Sequence, residues 1–130
     1  FSVAATCGFN ELAIKELHLL KESSLWERLI NPSYRILTET AVFAPTTDEK
    51  WIDGIIDMLV MAPSGEEVSI LDWKTNRRKE GESKGAFLER LKEMYRPQLD
   101  AYRYGIKEIT GCREVSTQLY ATATGKDVRF

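Results

Sequence analysis

The chain reads as an α/β domain with a mixed central sheet flanked by helices, and three observations predict it. Strand-length apolar runs cluster between residues 34 and 75 around a Pro/Gly turn. A long helical pattern follows between residues 86 and 110. A last strand-length run, Val115 to Thr122, comes after that helix, and a helix crossover between strands favours parallel pairing in a right-handed connection. The order is helix, three strands, helix, strand.

The N-terminal part is helical. Phe1 to Gly8 has no clear period and reads as a frayed entry. Asn10 is a candidate cap, and Leu12, Leu17 (or Glu16), Leu19 and Leu20 give a stripe to about Glu22. His18 lies in this helix and reads as structural or solvated rather than catalytic. Ser23 or Ser24 caps a second short helix through Ile30, which Pro32 ends by disfavouring helix at the residue before it.

Tyr34 to Phe43 is the first strand. Strict alternation puts Leu37, Glu39, Ala41 and Phe43 on one face, so Glu39 lies on an otherwise apolar side, where a bare carboxylate is costly. Ala44 to Glu49 reads as a loop. Trp51-Ile52 opens the second strand, with Gly54 marking a bend or a close backbone approach. Alternation puts Ile55, Leu59 and Met61 on one face and Ile56, Met58 and Val60 on the other, which suits a central strand covered on both sides.

The stretch from Gly54 to Thr75 reads as a β-hairpin around Ala62-Pro63-Ser64-Gly65. A turn centred on Ser64-Gly65 sets Met61 opposite Val68 and Asp57 opposite Asp72. Directly opposed Cβ atoms lie roughly 4.5–5.5 Å apart, so two carboxylates there need a shared proton or a cation. Period two puts Lys74 on the Asp72 face. One face thus offers acid, acid and amine. The bland alternative is two strand-end acids and an exposed lysine in an ordinary ion-pair network.

Asn76 to Gly85 is a charged, glycine-containing loop with four basic residues against two acids. It is expected to be mobile, as a solvated loop or a phosphate contact. Ala86 to Tyr95 is helical, and Pro97 either kinks this helix or starts a new one. Gln98, Tyr102, Ile106 and Ile109 then share a helical face, bringing two polar heads to an apolar stripe. Those heads need partners if buried. Gly111 closes the helix.

Composition sets bounds. The 130 residues suit one domain, 1–130, and a single core. A net charge of −2 is unlike a free-standing nucleic-acid binder, so a polyanion would need a local basic patch, a metal or another domain. Cys7 and Cys112 are not metal-spaced and read as reduced thiols of a cytoplasmic protein. No apolar run approaches the roughly 18 residues of a membrane span. A start at Phe1 rather than Met reads as a piece of a longer protein.

Taken together, Glu39, Gly54-x-x-Asp57, Asp72-x-Lys74-Thr75 and Gln98-x-x-x-Tyr102, in an αβββαβ order, resemble the PD-(D/E)XK nuclease superfamily. More closely they resemble the RecB-type nuclease domain of AddA/RecB helicase–nucleases, over roughly Leu25 to Tyr120. A lone Asp-x-Lys is a weak signal; four motifs in order are specific. The resemblance implies a restriction-endonuclease-like fold and a Mg²⁺-dependent deoxyribonuclease (Mn²⁺ substituting), exonuclease V-like, in DNA repair and recombination. Its partners would be DNA, helicase domains of the parent chain and a second nuclease/helicase subunit, with no membrane. By position, Asp57, Asp72 and the Trp73 carbonyl would bind metal, and Glu39 would support the metal or its water shell. Lys74 would orient water and stabilise phosphate charge, and Gln98 and Tyr102 would position the site. Two cysteines are too few for the four-cysteine iron–sulfur cluster of some relatives, so none is expected. Ile14 stands four residues before His18, where the family's Gly-x-x-x-His pattern has glycine. No Gly-x-x-x-x-Gly-Lys-Ser/Thr motor motif occurs. A different class of reading is a nuclease-like module that binds DNA or a partner without cutting.

Overall fold

The structure, a computed structural model, describes residues 11–45 and 50–130. The expectations for Cys7, the Asn10 cap, the Phe1–Gly8 entry and the end of the 44–49 loop lie outside the described residues. The elements are α1 (Glu11–Glu22), α2 (Ser24–Ile30), β1 (Arg35–Pro45), β2 (Trp51–Met61), β3 (Glu67–Lys74), α3 (Lys84–Thr110), β4 (Glu114–Ala121) and β5 (Lys126–Arg129). They form the predicted mixed sheet with helices on its faces. β1 continues through Pro45, where a loop was expected from Ala44, because Ala44 and Pro45 still pair with Ile52 and Trp51.

The sheet order is β1-β2-β3-β4-β5. β3 and β4 are parallel, as a helix crossover requires, and the other pairs are antiparallel. β5 is an addition to the expected order. Gly125, at φ 67, turns the chain back, and Val128 pairs with Leu119.

Two packings hold the layers. Val68 and Ile70 on β3 face Phe87, Leu91, Leu99 and Tyr102 of α3. On the other sheet face, Leu71 and Tyr120 pack with Leu25 of α2, helped by Leu20, Met58 and Trp73. The alternation of β3 therefore assigns Asp72 and Lys74 to the α3 side and Trp73 to the α1/α2 side.

α3 is one continuous helix through Pro97. Pro97 sits on the exposed side, and Glu93, whose carbonyl loses its helical donor, is also exposed to water. Ser83 caps the start by accepting the Ala86 N–H at 3.1 Å, and Gly111 closes the end at φ 67. Ile109, predicted on the Gln98 stripe, is 58% exposed, whereas Ile106 on the same stripe is buried.

The 76–85 loop is tied to the helices by side-chain pairing. Glu82 accepts both Arg90 Nε and Nη2 at 2.9 Å and the Lys79 N–H at 2.9 Å. Arg90 holds the Glu82 carboxyl down to about 2. Arg77 pairs with Glu16 of α1. No described helix is long and apolar enough to cross a membrane.

Candidate active site

The site begins where two ladders fail. β2 and β3 pair from Met61–Val68 to Met58–Leu71, the register that the symmetric turn predicts. Asp57 and Asp72 come next, but there the backbone ladder stops. Asp57 Oδ2 instead accepts the Trp73 N–H at 2.9 Å. The side chain takes the place of a strand carbonyl, and the strands fork beyond it. A strand residue's N–H and C=O point the same way, so the Trp73 carbonyl also faces the β2 side of this fork.

The β1–β2 ladder skips the same row. Thr38 pairs with Met58 and Thr40 with Ile56, while Glu39 stands opposite Asp57 without a bridge. Glu39 has φ 48, a left-handed conformation that costs a non-glycine residue about 1 kcal/mol or more. This residue resets the alternation. Leu37 and Val42, of opposite parity, both join the α3-side core, as do Leu59 and Ile56 on β2. The predicted faces are corrected accordingly. Ala41 and Phe43 turn to solvent, Ile55 is 63% exposed, and Glu39 is exposed rather than set in an apolar side. β2 is covered on both faces only in its second half, at Leu59 and Val60.

Three acids thus form a row across three strands, Glu39, Asp57 and Asp72, each aimed differently. Glu39 and Asp57 line an open cleft of about 530 Å³ with Thr38, Met58 and Trp73. Asp72 points beneath α3 and is only 6% exposed. Among the described residues no three acids, histidines or cysteines converge as a metal cage.

Lys74 lies with Asp72, as predicted. Its Nζ is 2.8 Å from Asp72 Oδ2 and 4.0 Å from the centre of the Tyr95 ring. The buried Oδ2 of Asp72 thus rests against the Lys74 ammonium. Tyr95 is a site residue that sequence reasoning missed, and its hydroxyl donates to Asn76 Oδ1 at 3.2 Å. Tyr95, Gln98 and Tyr102 fall on one helical face, which was a usable signal, but only packing sets the end of β3 beneath it.

Burial pushes the Asp72 carboxyl up to about 6; Lys74 opposes the shift and neighbouring Asp57 adds to it. This acid holds its proton more tightly folded than unfolded. Its contribution to stability is complete below about pH 4 and is lost as pH rises through 6. In metal-free protein, wild type should lose of order 2–3 kcal/mol relative to Asp72→Asn between pH 4 and 7. Urea unfolding of both proteins across that window checks this; parallel curves would refute it.

Gln98 and Tyr102 hold the fork from above. Gln98 is exposed and its Nε2 donates to the Tyr102 hydroxyl at 3.2 Å; that hydroxyl donates to the Ile55 carbonyl at 3.4 Å. Tyr102 is buried directly over Gly54, where an added Cβ would meet its hydroxyl at 2.5 Å. Gly54 is the close approach that the sequence suggested. His18 lies on the exposed face of α1.

The donor set fits a small divalent cation. Mg²⁺ uses one or two carboxylates, keeps several waters and takes further oxygens from a substrate phosphate. Asp57, the Asp72 Oδ2 and the Trp73 carbonyl offer oxygens of that kind. A search of curated proteins finds no match. The sequence model of the PD-(D/E)XK nuclease superfamily matches residues 9–128, nearly the whole chain. With its mixed five-stranded sheet and its acid–acid–lysine fork, the chain belongs to the PD-(D/E)XK nuclease superfamily.

Proposed function

We propose that this domain hydrolyses phosphodiesters of DNA with Mg²⁺ or Mn²⁺, as an exonuclease V-like nuclease domain of an AddA/RecB-type helicase–nuclease. The observation that carries the reading is the fork at Asp57 and Asp72, with Lys74 lodged between a buried carboxylate and an aromatic ring. Asp72 is 6% exposed with the Asp57 carboxylate beside it, and two acids in one desolvated place are an arrangement that a cation answers. Membership in the superfamily supports nuclease chemistry and DNA as the substrate. The helicase setting and the exonuclease mode rest on the Asp72-Trp73-Lys74-Thr75 and Gln98-x-x-x-Tyr102 motifs.

Asp57, Asp72 and the Trp73 carbonyl would hold the cation. When bound, a divalent cation supplies positive charge at the phosphate and acidifies water. Lys74 carries its ammonium to a phosphate oxygen as a point charge and orients the attacking water. The Tyr95 ring keeps that ammonium in place by cation–π attraction when Asp72 is engaged elsewhere. Gln98 and Tyr102, bonded to Ile55, keep β2 and therefore Asp57 in register with Asp72. Glu39 supports the water shell from the cleft wall.

The test is cleavage of linear single- and double-stranded DNA in Mn²⁺ or Mg²⁺, beside Lys74→Ala. Wild type should cut only with metal, and the variant should cut roughly 10²–10³-fold more slowly while still binding Mn²⁺. Metal binding without cutting would favour the non-cleaving DNA- or partner-binding module. Absence of both would return the fork to an ion-pair network.

A further inference from the structure

The outer half of the β1–β2 ribbon carries an aromatic face that the proposed mechanism does not use. Phe43, Trp51 and Ile55 are 64%, 62% and 63% exposed. The Phe43 and Trp51 rings stack on each other, centroids 4.7 Å apart at 18°. The other ribbon face is covered, since Val42 and Ala44 lie under Gly105 of α3. Single exposed apolar residues are ordinary, but a stacked pair beside a third apolar side chain is a surface.

This surface continues the site. The cleft of Glu39 and Asp57 is walled by Met58 and Trp73, which belong to the sheet face turned away from α3. The alternation reset at Glu39 turns Phe43 and Ile55 to that same face. Along β2, Ile55, the Asp53 position paired with Phe43, and Trp51 recede from Asp57 in steps of two residues. At the rise of a strand these lie about 7, 14 and 20 Å from the acid.

We propose that Phe43 and Trp51 form a stacking platform for the bases of unpaired DNA whose scissile phosphate sits at Asp57 and Asp72. The proposal rests on the nuclease reading and adds the substrate form. Stacked flat rings suit bases because every base has a π-face, whatever the sequence. A duplex hides those faces, so only an unpaired strand can use them. Asp53, exposed on the same face, repels phosphates and favours bases turned inward.

The experiment uses the full chain carrying Lys74→Ala, so that binding in Mn²⁺ is read with cutting suppressed. Anisotropy of a labelled oligothymidylate and of a short labelled duplex is measured with and without Phe43→Ala/Trp51→Ala. The single strand should bind roughly 10- to 100-fold more weakly to the double variant, with duplex affinity little changed. Phe43→Trp/Trp51→Phe should retain binding. Both rings are exposed, and an unaltered Mn²⁺ isotherm verifies the fold. Unchanged oligothymidylate affinity, or equal loss for both DNA forms, overturns the platform and leaves the face to a protein partner. In that event Mn²⁺ binding and wild-type cutting still stand, whereas failure of the nuclease reading removes those two as well.

Discussion

Asp72→Asn should abolish metal-dependent cleavage and weaken Mn²⁺ binding by at least about 100-fold, without loss of fold. The two side chains are nearly isosteric, so the core under α3 keeps its volume. What disappears is the buried negative charge, which the Lys74 ammonium faces at 2.8 Å. An amide in its place is a weak cation ligand and turns an N–H toward Lys74. Second-shell groups alone commonly cost 10–100-fold in metal affinity, and a direct ligand should cost at least as much. Burial already disfavours the charged carboxylate, so metal-free Asp72→Asn should unfold no earlier than wild type at neutral pH. Calorimetric Mn²⁺ titration, DNA cleavage and urea unfolding read the three quantities separately. A variant that binds Mn²⁺ like wild type would remove Asp72 from the site. One that binds poorly because it is unfolded would show it in the urea curve.

Gly54→Ala should be the most damaging small substitution in the sheet, costing about 2–3 kcal/mol. The new Cβ would lie 2.5 Å from the Tyr102 hydroxyl, 3.0 Å from Cε1 and 3.1 Å from Cζ. Tyr102 cannot swing away. It is 6% exposed, and three residues further along α3 Gly105 lies so close to β1 that an added Cβ would meet Val42 and Ala44 at 3.3 Å. Relief must come from lifting α3 or bending β2, and β2 carries Asp57 three residues on. Cleavage should therefore fall more than stability predicts, since a misplacement near 1 Å can cost about 10²-fold. Removing the hydroxyl relieves the closest contact, so Tyr102→Phe should restore part of the stability of Gly54→Ala. Thermal melts of the two single variants and the double variant test this. If Gly54→Ala melts with wild type, or Tyr102→Phe gives no rescue, the close approach is wrong.

Local chemistry made much of the fold readable. The hairpin register followed from a turn centred on Ser64-Gly65, and Gly65 indeed has φ 74. Gly111 ended α3 and the crossover made β4 parallel to β3, each from a rule that acts over a few residues or one connection. The loop before α3 was less readable. Its charge count does not show that Glu82 pairs with Arg90, about two helical turns beyond the Ser83 cap.

Sequence by itself determined which residues belong to one row: Asp57 against Asp72, Lys74 beside Asp72, Gln98 and Tyr102 on one helical face. Those relations depend on side-chain period and turn length, both local quantities. Tertiary structure alone decided where the row points. Glu39, in a left-handed conformation, marks the row at which both β1 and β2 change faces, and no period-two pattern can register such a reset. Packing of α3 sets Tyr95 against Lys74 and Tyr102 over Gly54, and desolvates Asp72. Burial of a charge is a property of everything around it, so it had to wait for the fold.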